Sequence, residues 1–203
     1  MLPDSLKKFI ESFSKIPGIG PRQAQRIAFW FLKKNKNLIY SYAFALKDLA
    51  DKTAICPKCF FVFEPNSGPN RLNFCQICRN PSRDKTILTL VEKETDLISL
   101  EKTKKYQGLY FILGGLFSPL KKSNGQEIRI KELLERLKND SSIKELVLGL
   151  SHTAEGDLTA MELEKLLSPF NLKITRLGLG LPRGAEIEFA DEDTLTNALT
   201  SRR

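Results

Sequence analysis

The sequence lacks the side chains and motifs on which several classes of protein depend. Its single histidine, His152, is not surrounded by a pattern of acid and serine or cysteine residues that would suggest a catalytic triad. The glycine-rich stretch RLGLGLPRGAEIEF, residues 176–189, lacks the Gly-Lys-Ser/Thr sequence of a phosphate-binding loop, which favours a surface loop or a subunit contact. No apolar run approaches the roughly 20 residues that a membrane-spanning helix needs, and MLPDSLKKFIESF is not typical of a signal peptide. A cytoplasmic protein is therefore expected.

Positive charge is concentrated in the N-terminal part of the chain. The net charge is +8, with +6 on residues 1–54 and +3 on residues 55–83, whereas residues 84–165 carry −1 and residues 166–203 are neutral. A basic segment attached to a nearly neutral body is typical of proteins that bind nucleic acid. A solvated basic face without any partner would give the same distribution.

The residue pattern predicts an α/β multidomain protein with four parts. Residues 1–54 carry apolar residues at helical spacing, and residues 55–83 are short, punctuated by cysteine and proline, and too small for a core of their own. In residues 84–176 apolar strands alternate with amphipathic helices, which predicts a mostly parallel sheet covered on both faces. Residues 177–203 form a C-terminal extension, with a strand in AEIEF and a short helix that begins near Asp191.

Three helices are predicted in the N-terminal part. The first covers residues 4–16, the second runs from Pro21 to about Lys34, and the third covers residues 37–52. Each is expected to bury one apolar face. In the third helix this face consists of Leu38, Tyr42, Ala45, Leu46 and Leu49.

Two Cys-x-x-Cys pairs predict a metal site. CPKC supplies Cys56 and Cys59, and CQIC, which follows after fifteen residues, supplies Cys75 and Cys78. Each pair can direct two thiolates at one tetrahedral centre, which is the pattern of a structural zinc site, and disulfides are disfavoured in a reducing compartment. Because four ligands close the coordination shell, the expected cofactor is one structural Zn²⁺.

A glycine turn between the first two helices predicts a phosphate site. In IPGIGPRQAQRIA the turn precedes a helix N-terminus, where free N–H groups and the helix dipole favour an anion. The residues predicted to contact DNA are Gly18, Ile19, Gly20, Arg22, Gln23 and Arg26. Contacts of this kind bind the DNA backbone without reading its sequence. The alternative is an ordinary helix connection in which the glycines only turn the chain.

Acidic side chains follow two of the predicted strands. They are Glu92 and Asp96 after TILTLVE, and Glu155 and Asp157 after KELVLGL. Sites in α/β sheets lie beyond the carboxyl ends of the strands, and Mg²⁺ chemistry on phosphates needs several convergent carboxylates. In SHTAEGD, however, Ser151 and Thr153 stand where further carboxylates would help most. For Asp157 alone, helix capping is an equal alternative.

These motifs, in this order, resemble the RecR family of bacterial recombination mediator proteins. The resemblance covers essentially the whole chain, through the stretches PGIGPRQAQRIAF, CQICRNPSRD, VEKETDL, YFILGGLFSPL, EGDLTA, TRLGLGLP and FADEDTL. It implies a helix-hairpin-helix region, a Cys₄ zinc finger and a Toprim-type α/β domain. Two stretches depart from the family: Ser151-His152-Thr153 replaces Asn-Pro-Thr, and LGLGLP replaces LARGLP, which removes an arginine near Leu179.

The resemblance implies a non-enzymatic DNA clamp. Members of the family form oligomers, from dimers to tetrameric rings, and act with RecO and RecF to help RecA load on gapped or SSB-coated DNA. Arg22 and Arg26 match the basic residues that contact DNA, and the four cysteines match the zinc ligands. The acids match a Toprim surface implicated in partner and DNA contacts, and they are Glu92, Asp96, Glu155 and Asp157.

A catalytic Toprim nuclease or topoisomerase-like enzyme is the alternative function. In such enzymes this loop reads Asp-x-Asp-x-x-Gly-Glu or close to it, whereas Ser151 and Thr153 are neutral and are poor Mg²⁺ ligands. The chain has only four tyrosines and no room for the gate of a topoisomerase. A zinc-ribbon transcription regulator would need a recognition helix, and the sequence offers no candidate. The sequence therefore favours binding without catalysis.

Overall fold

The computed structural model describes residues 2–65, 73–118, 128–178, 180–181, 183–200 and 202. The chain divides into two compact units, Met1–Thr53 and Ala54–Arg203. Among the described residues, no helix has the length and apolar character needed to cross a membrane.

The first unit consists of three helices, α1 (Asp4–Phe13), α2 (Pro21–Leu32) and α3 (Lys36–Lys52). Helix α1 ends three residues earlier than predicted, because the residue before Pro17 is biased away from helical geometry. Pro21 occupies the first turn of α2, where a missing N–H costs nothing.

Helices α1 and α2 pack against each other through small and aromatic residues. Ala24 and Ala28 are the buried residues of α2. The rings of Phe9 and Phe13 stack at 3.9 Å, and Phe9 meets Phe31 edge to face at 5.9 Å. These contacts join the two helices on either side of the glycine turn.

Helix α3 differs from the prediction, because none of its residues is buried in the described chain. Leu46 is 59% exposed, Leu49 is 60% exposed and Phe44 is 65% exposed. The spacing of apolar residues correctly indicated a helix. It could not indicate what covers the apolar side.

The second unit contains an antiparallel ribbon and a parallel sheet. The ribbon pairs β1 (Ala54–Ile55) with β2 (Val62–Phe63). The four-stranded sheet has the order β4-β3-β5-β6, with β3 (Ile87–Val91), β4 (Leu109–Ile112), β5 (Glu145–Gly149) and β6 (Lys173–Arg176). The helices are α4 (Gln76–Arg79), α5 (Glu94–Lys102), α6 (Ile130–Asn139), α7 (Ala154–Leu167) and α8 (Glu192–Thr200). All three pairings in the sheet are parallel, as the alternating pattern predicted.

Both faces of the sheet are buried. On one face Leu90 and Phe111 pack with Leu133 of α6 and Leu163 of α7. On the other face the cluster is smaller and includes Leu97 of α5. Successive residues of a strand point to opposite faces, so continuous apolar strands require cover on both sides.

The C-terminal extension departs from the prediction in one element. Residues Ile187–Phe189 form a 3₁₀ turn instead of a strand, and Phe189 is 80% exposed. An alternating pattern becomes a strand only beside a pairing partner, and no described strand lies along this segment. Helix α8 does begin after Asp191, whose carboxylate accepts a hydrogen bond from the Thr194 N–H at 2.8 Å.

Candidate functional site

The four cysteines form one cluster. Cys56, Cys59 and Cys75 are buried, Cys78 is half-buried, and all four sulfurs lie within 4.8 Å of one another. All four thiols are free, and the sulfurs of Cys59 and Cys75 are 3.4 Å apart. A Zn–S bond of about 2.3 Å in tetrahedral geometry separates sulfurs by about 3.8 Å. The cluster therefore has the donor chemistry and the dimensions of a Cys₄ metal site.

Tight turns direct the thiols inward. In the turn at residues 56–60, the Phe60 N–H donates to the carbonyl oxygen of Cys56 at 2.8 Å. Phe60 has a φ of +64°, in the left-handed region that few side chains adopt. In the second pair, the N–H of Cys78 donates to the sulfur of Cys75 at 3.5 Å. Each turn thus closes around its own pair of sulfurs.

The close approach of the four sulfurs shifts the pKa values of the thiols in opposite directions. Hydrogen bonds from the thiols of Cys59, Cys75 and Cys78 lower the pKa of Cys56 far below its ordinary value. Hydrogen bonding to the Cys56 sulfur raises the pKa of Cys59 and of Cys78. A bound divalent cation would remove this competition, because it stabilises every coordinating thiol as the thiolate.

The cysteine cluster is joined to the parallel sheet by shared packing. Phe61 and Ile77 contact both the cysteines and the small apolar cluster below the sheet. Phe60 packs with its ring 5.3 Å from the ring of Phe111 in β4. The apolar cluster around the cysteines is therefore continuous with the packing of the sheet.

The glycine turn predicted to meet DNA lies on the surface of the first unit. Gly18 has a φ of +80°, which a residue with a side chain would rarely adopt. Gly20 caps α2 without a side chain, so no side-chain acceptor there covers the first N–H groups of the helix. Ile19 is half-buried, and Arg22, Gln23 and Arg26 are exposed.

The two arginines of this turn are available to a ligand. Arg26 donates one long hydrogen bond of 3.4 Å to the side chain of Gln23. Neither Arg22 nor Arg26 forms a salt bridge within the part of the chain that the structure describes. Two exposed cations therefore flank a helix N-terminus that favours anions.

The strand-end acids lie on neighbouring strands. Val91 of β3 is paired with Gly149 of β5, which places Glu92 and the loop at residues 151–157 at the same edge of the sheet. The described residues contain one group of three or more Cys, His, Asp or Glu side chains close enough to share a metal, and it is the cysteine cluster. The acids are therefore not gathered into a metal cage.

Individual contacts give two of these acids other roles. Asp96 accepts a hydrogen bond from the Lys93 N–H at 3.1 Å and caps α5. Asp157 forms an ion pair with Arg176, with 2.6 Å between its carboxylate and the guanidinium. No local pattern in the sequence indicates this second contact, because the partners belong to different elements.

The loop at residues 151–157 leads into α7 and includes the N-cap of this helix. The Thr153 hydroxyl accepts a hydrogen bond from the N–H of Gly156 at 3.2 Å, so this residue is the N-cap. A β-carbon at Gly156 would lie 2.0 Å from the Ser151 carbonyl oxygen. Arg176 also donates to that oxygen at 3.3 Å. The loop is thus organised by capping and by an arginine.

A half-buried ion pair with no signal in the sequence lies beside the sheet. Arg83 donates to the carboxylate of Glu101 at 2.8 Å and to the carbonyl oxygen of Gly108 at 3.2 Å. Hydrogen bonding from Arg83 lowers the pKa of Glu101 and raises the pKa of Arg83 itself. Partners separated by 18 residues leave no periodic signal in the sequence.

Together, a helix-hairpin-helix unit, a four-cysteine cluster and a parallel α/β domain define a multidomain protein of the Toprim class. The Toprim domain family matches residues 86–178, the RecR helix-hairpin-helix family matches residues 6–49, and the RecR C-terminal family matches residues 180–203.

Full-length relatives extend this likeness. Recombination protein RecR of Myxococcus xanthus is 39% identical over 203 residues, covering 100% of this chain and 99% of that protein. The protein of the same name from Rippkaea orientalis is 40% identical, covering 100% of this chain and 98% of its own. That of Staphylococcus aureus is 38% identical, covering 98% of this chain and 97% of its own. The chain belongs to the RecR family.

Proposed function

We propose that this protein is a non-enzymatic DNA-binding mediator of recombinational DNA repair. The observation that carries the proposal is the exposed turn before α2, where Arg22 and Arg26 flank an anion-favouring helix N-terminus. Family membership supports the same role, because the full-length relatives are named recombination proteins. Binding through phosphates would be independent of sequence.

The DNA contact comprises the backbone of Gly18, Ile19 and Gly20 together with nearby side chains. Arg22 and Arg26 follow each other by one helical turn, so they can neutralise successive phosphates along one strand. Gln23 lies between them and can donate to a phosphate oxygen.

The mediator acts with partner proteins. RecO and RecF are the proposed partners, and the proposed outcome is RecA loading on gapped or SSB-coated DNA. The acids Glu92, Asp96, Glu155 and Asp157 are proposed to contribute to the partner or DNA contacts. Their position supports this, because they lie at one edge of the sheet and, among the described residues, do not form a group close enough to share a metal.

The protein is proposed to work as a homo-oligomer, between a dimer and a tetrameric ring. Helices α1, α2 and α3 line an apolar groove of about 460 Å³, and α3 exposes Phe44, Leu46 and Leu49. Apolar side chains at such exposure are typical of a surface covered in an assembly. The C-terminal segment at residues 177–203 is proposed as a second subunit contact, and it exposes Ile187 and Phe189.

One structural Zn²⁺ is proposed at Cys56, Cys59, Cys75 and Cys78. Four thiolate ligands leave no open coordination position, so the ion would hold the module together and take no part in chemistry. Its binding free energy would add to the small apolar cluster around the cysteines and contribute to folding of the module.

A Toprim nuclease or topoisomerase remains the alternative, because Toprim domains also occur in enzymes of that kind. Against it, Ser151 and Thr153 are not carboxylates, Thr153 caps α7, and Asp157 is paired with Arg176. Incubation with supercoiled and linear DNA plus Mg²⁺ or Mn²⁺ should leave both intact. Robust nicking would overturn the proposed function.

A RecA assembly assay tests the mediator role directly. RecA is added to SSB-coated gapped DNA with RecO and RecF, and the lag before ATP hydrolysis is compared with and without this protein. The protein should shorten the lag, and the Arg22→Ala/Arg26→Ala variant should not. An unchanged lag with folded wild-type protein would contradict the mediator role.

Light scattering tests the oligomer. The wild-type mass should exceed that of one 23.0 kDa chain, and Leu46→Glu should lower it. The control Lys47→Gln changes a neighbouring exposed polar residue and should keep the wild-type mass. A monomer with and without DNA would count against a clamp.

A further inference from the structure

The turn that carries Cys56 and Cys59 is attached to an otherwise open edge of the sheet. Strand β4 is the first strand of the order β4-β3-β5-β6, so among the described strands it is paired only with β3. Unpaired N–H and C=O groups at a sheet edge need a partner. The partners in this fold come from the cysteine turn and from two arginines.

Three backbone groups on the outer side of β4 are satisfied in this way. The N–H of Ile112 donates to the carbonyl oxygen of Cys59 at 3.0 Å. The carbonyl oxygen of Ile112 accepts from Arg129 at 3.0 Å, and that of Tyr110 accepts from Arg136 at 2.8 Å. The cysteine turn thus takes the place of a neighbouring strand.

Arg136 links the edge strand to the cysteine turn. The same nitrogen that donates to Tyr110 also donates to the carbonyl oxygen of Lys58 at 2.6 Å. Lys58 lies between the two cysteines of the first pair. The guanidinium also lies over the Phe111 ring at 6.0 Å, which fixes the side chain from a third direction.

Arg129 strengthens the attachment from the other end of the turn. Its guanidinium lies 4.7 Å from the centre of the Phe60 ring while it donates to Ile112. Phe60 has the strained left-handed backbone that closes the cysteine turn. The two arginines, one at the N-cap of α6 and one within it, therefore contact the residues immediately before and after Cys59.

We propose that Arg136 is a positioning residue of the metal centre, and that metal loading and closure of the β4 edge are coupled. Partners that orient the ligands of a metal typically change metal affinity by about 10–100-fold when they are removed. The Arg136 side chain contacts the cysteine turn at the backbone carbonyl of Lys58 and not at a ligand sulfur. The inference rests on the proposed metal at the four cysteines.

The coupling is tested in both directions on the full-length protein loaded with zinc. In the first direction, zinc transfer to a chromophoric chelator is timed for wild type, Arg136→Ala and Arg136→Lys. Release should be about 10-fold faster or more in Arg136→Ala, and Arg136→Lys should restore part of the difference. Arg79→Ala is the matched control, because Arg79 is an exposed arginine of the cysteine module, and its release rate should stay at the wild-type value.

In the second direction, amide hydrogen exchange is followed in wild-type protein before and after zinc removal. The amide of Ile112 should lose protection on zinc removal, whereas the amide of Leu148, inside β5, should keep it. This measurement needs no variant, so it holds even if Arg136→Ala does not fold.

The outcomes separate the inference from the proposed metal. Wild-type protein that binds no zinc would refute the metal itself. Zinc binding with equal release from wild type and Arg136→Ala, or an Ile112 amide indifferent to zinc, would refute the coupling alone.

Discussion

The double substitution Arg22→Ala/Arg26→Ala should weaken binding to every DNA sequence by the same factor, because phosphate contacts do not depend on the bases. Each phosphate that a cation neutralises contributes about −0.9 to the slope of log K against log salt concentration. Two lost contacts should therefore flatten the slope by about 1.8. At about 0.1 M salt this corresponds to about 60-fold in affinity, or about 2.4 kcal/mol, and at about 0.5 M to about 3-fold to 4-fold.

Fluorescence anisotropy with labelled duplexes of unrelated sequence, repeated from about 0.05 M to about 0.5 M NaCl, measures both quantities. The control Lys165→Ala/Lys173→Ala removes the same charge from residues that pair with Glu162 and Glu145. Its slope should match the wild type. An unchanged slope for the arginine variant, or losses that differ between sequences, would refute the proposed backbone contacts.

Three further substitutions test the metal, the ion pair and the strand-end loop. Cys56→Ser should release the metal and unfold the cysteine turns, because three thiolates cannot close the site, as measured by metal content and circular dichroism. Glu101→Gln should remove stability at neutral pH but little in acid, as measured by urea unfolding. Arg83 lowers the pKa of Glu101, so this stabilisation is fully present above the unfolded-state pKa of about 4.3 and is lost as the pH falls through the folded-state pKa. Gly156→Ala should cost about 1–3 kcal/mol in thermal unfolding, because its β-carbon would lie 2.0 Å from the Ser151 oxygen.

Each of these expectations has an outcome that contradicts it. Full zinc content in Cys56→Ser would show that Cys56 is not a ligand. A Glu101→Gln protein with the wild-type dependence on pH would mean that another carboxylate controls acid unfolding. A Gly156→Ala protein of unchanged stability would require the loop to open without cost.

The sequence predicts the elements whose signals are local. The cysteine pairs are recognisable because each turn needs two thiols at fixed spacing, and the four sulfurs do lie together. The parallel sheet is predictable because strands buried on both faces must be apolar throughout. Helix α8 is predictable because Asp191 is a typical capping residue at its N-terminus.

Contacts between distant residues are what the sequence could not predict. The Asp157–Arg176 ion pair and the Arg136–Lys58 hydrogen bond join different elements, and neither leaves a periodic pattern. Apolar spacing predicted α3 as a helix and wrongly placed its apolar side in the core, because spacing does not specify what covers that side. The same limit applies to AEIEF, whose alternation needs a neighbouring strand.

Arg136 and Lys58, which share a hydrogen bond, are 78 residues apart, so the cysteine turn is synthesised well before the arginine that contacts it. All four cysteines leave the ribosome well before β4 and α6. At about 5–20 residues per second, several seconds pass between synthesis of Lys58 and of Arg136. During that interval the nascent chain can collect an ion, but the turn around it has no sheet edge to rest on. Under the proposed coupling, final closure of the cysteine turn follows translation of α6, and an ion held by the nascent chain should exchange more readily than one held by the finished protein.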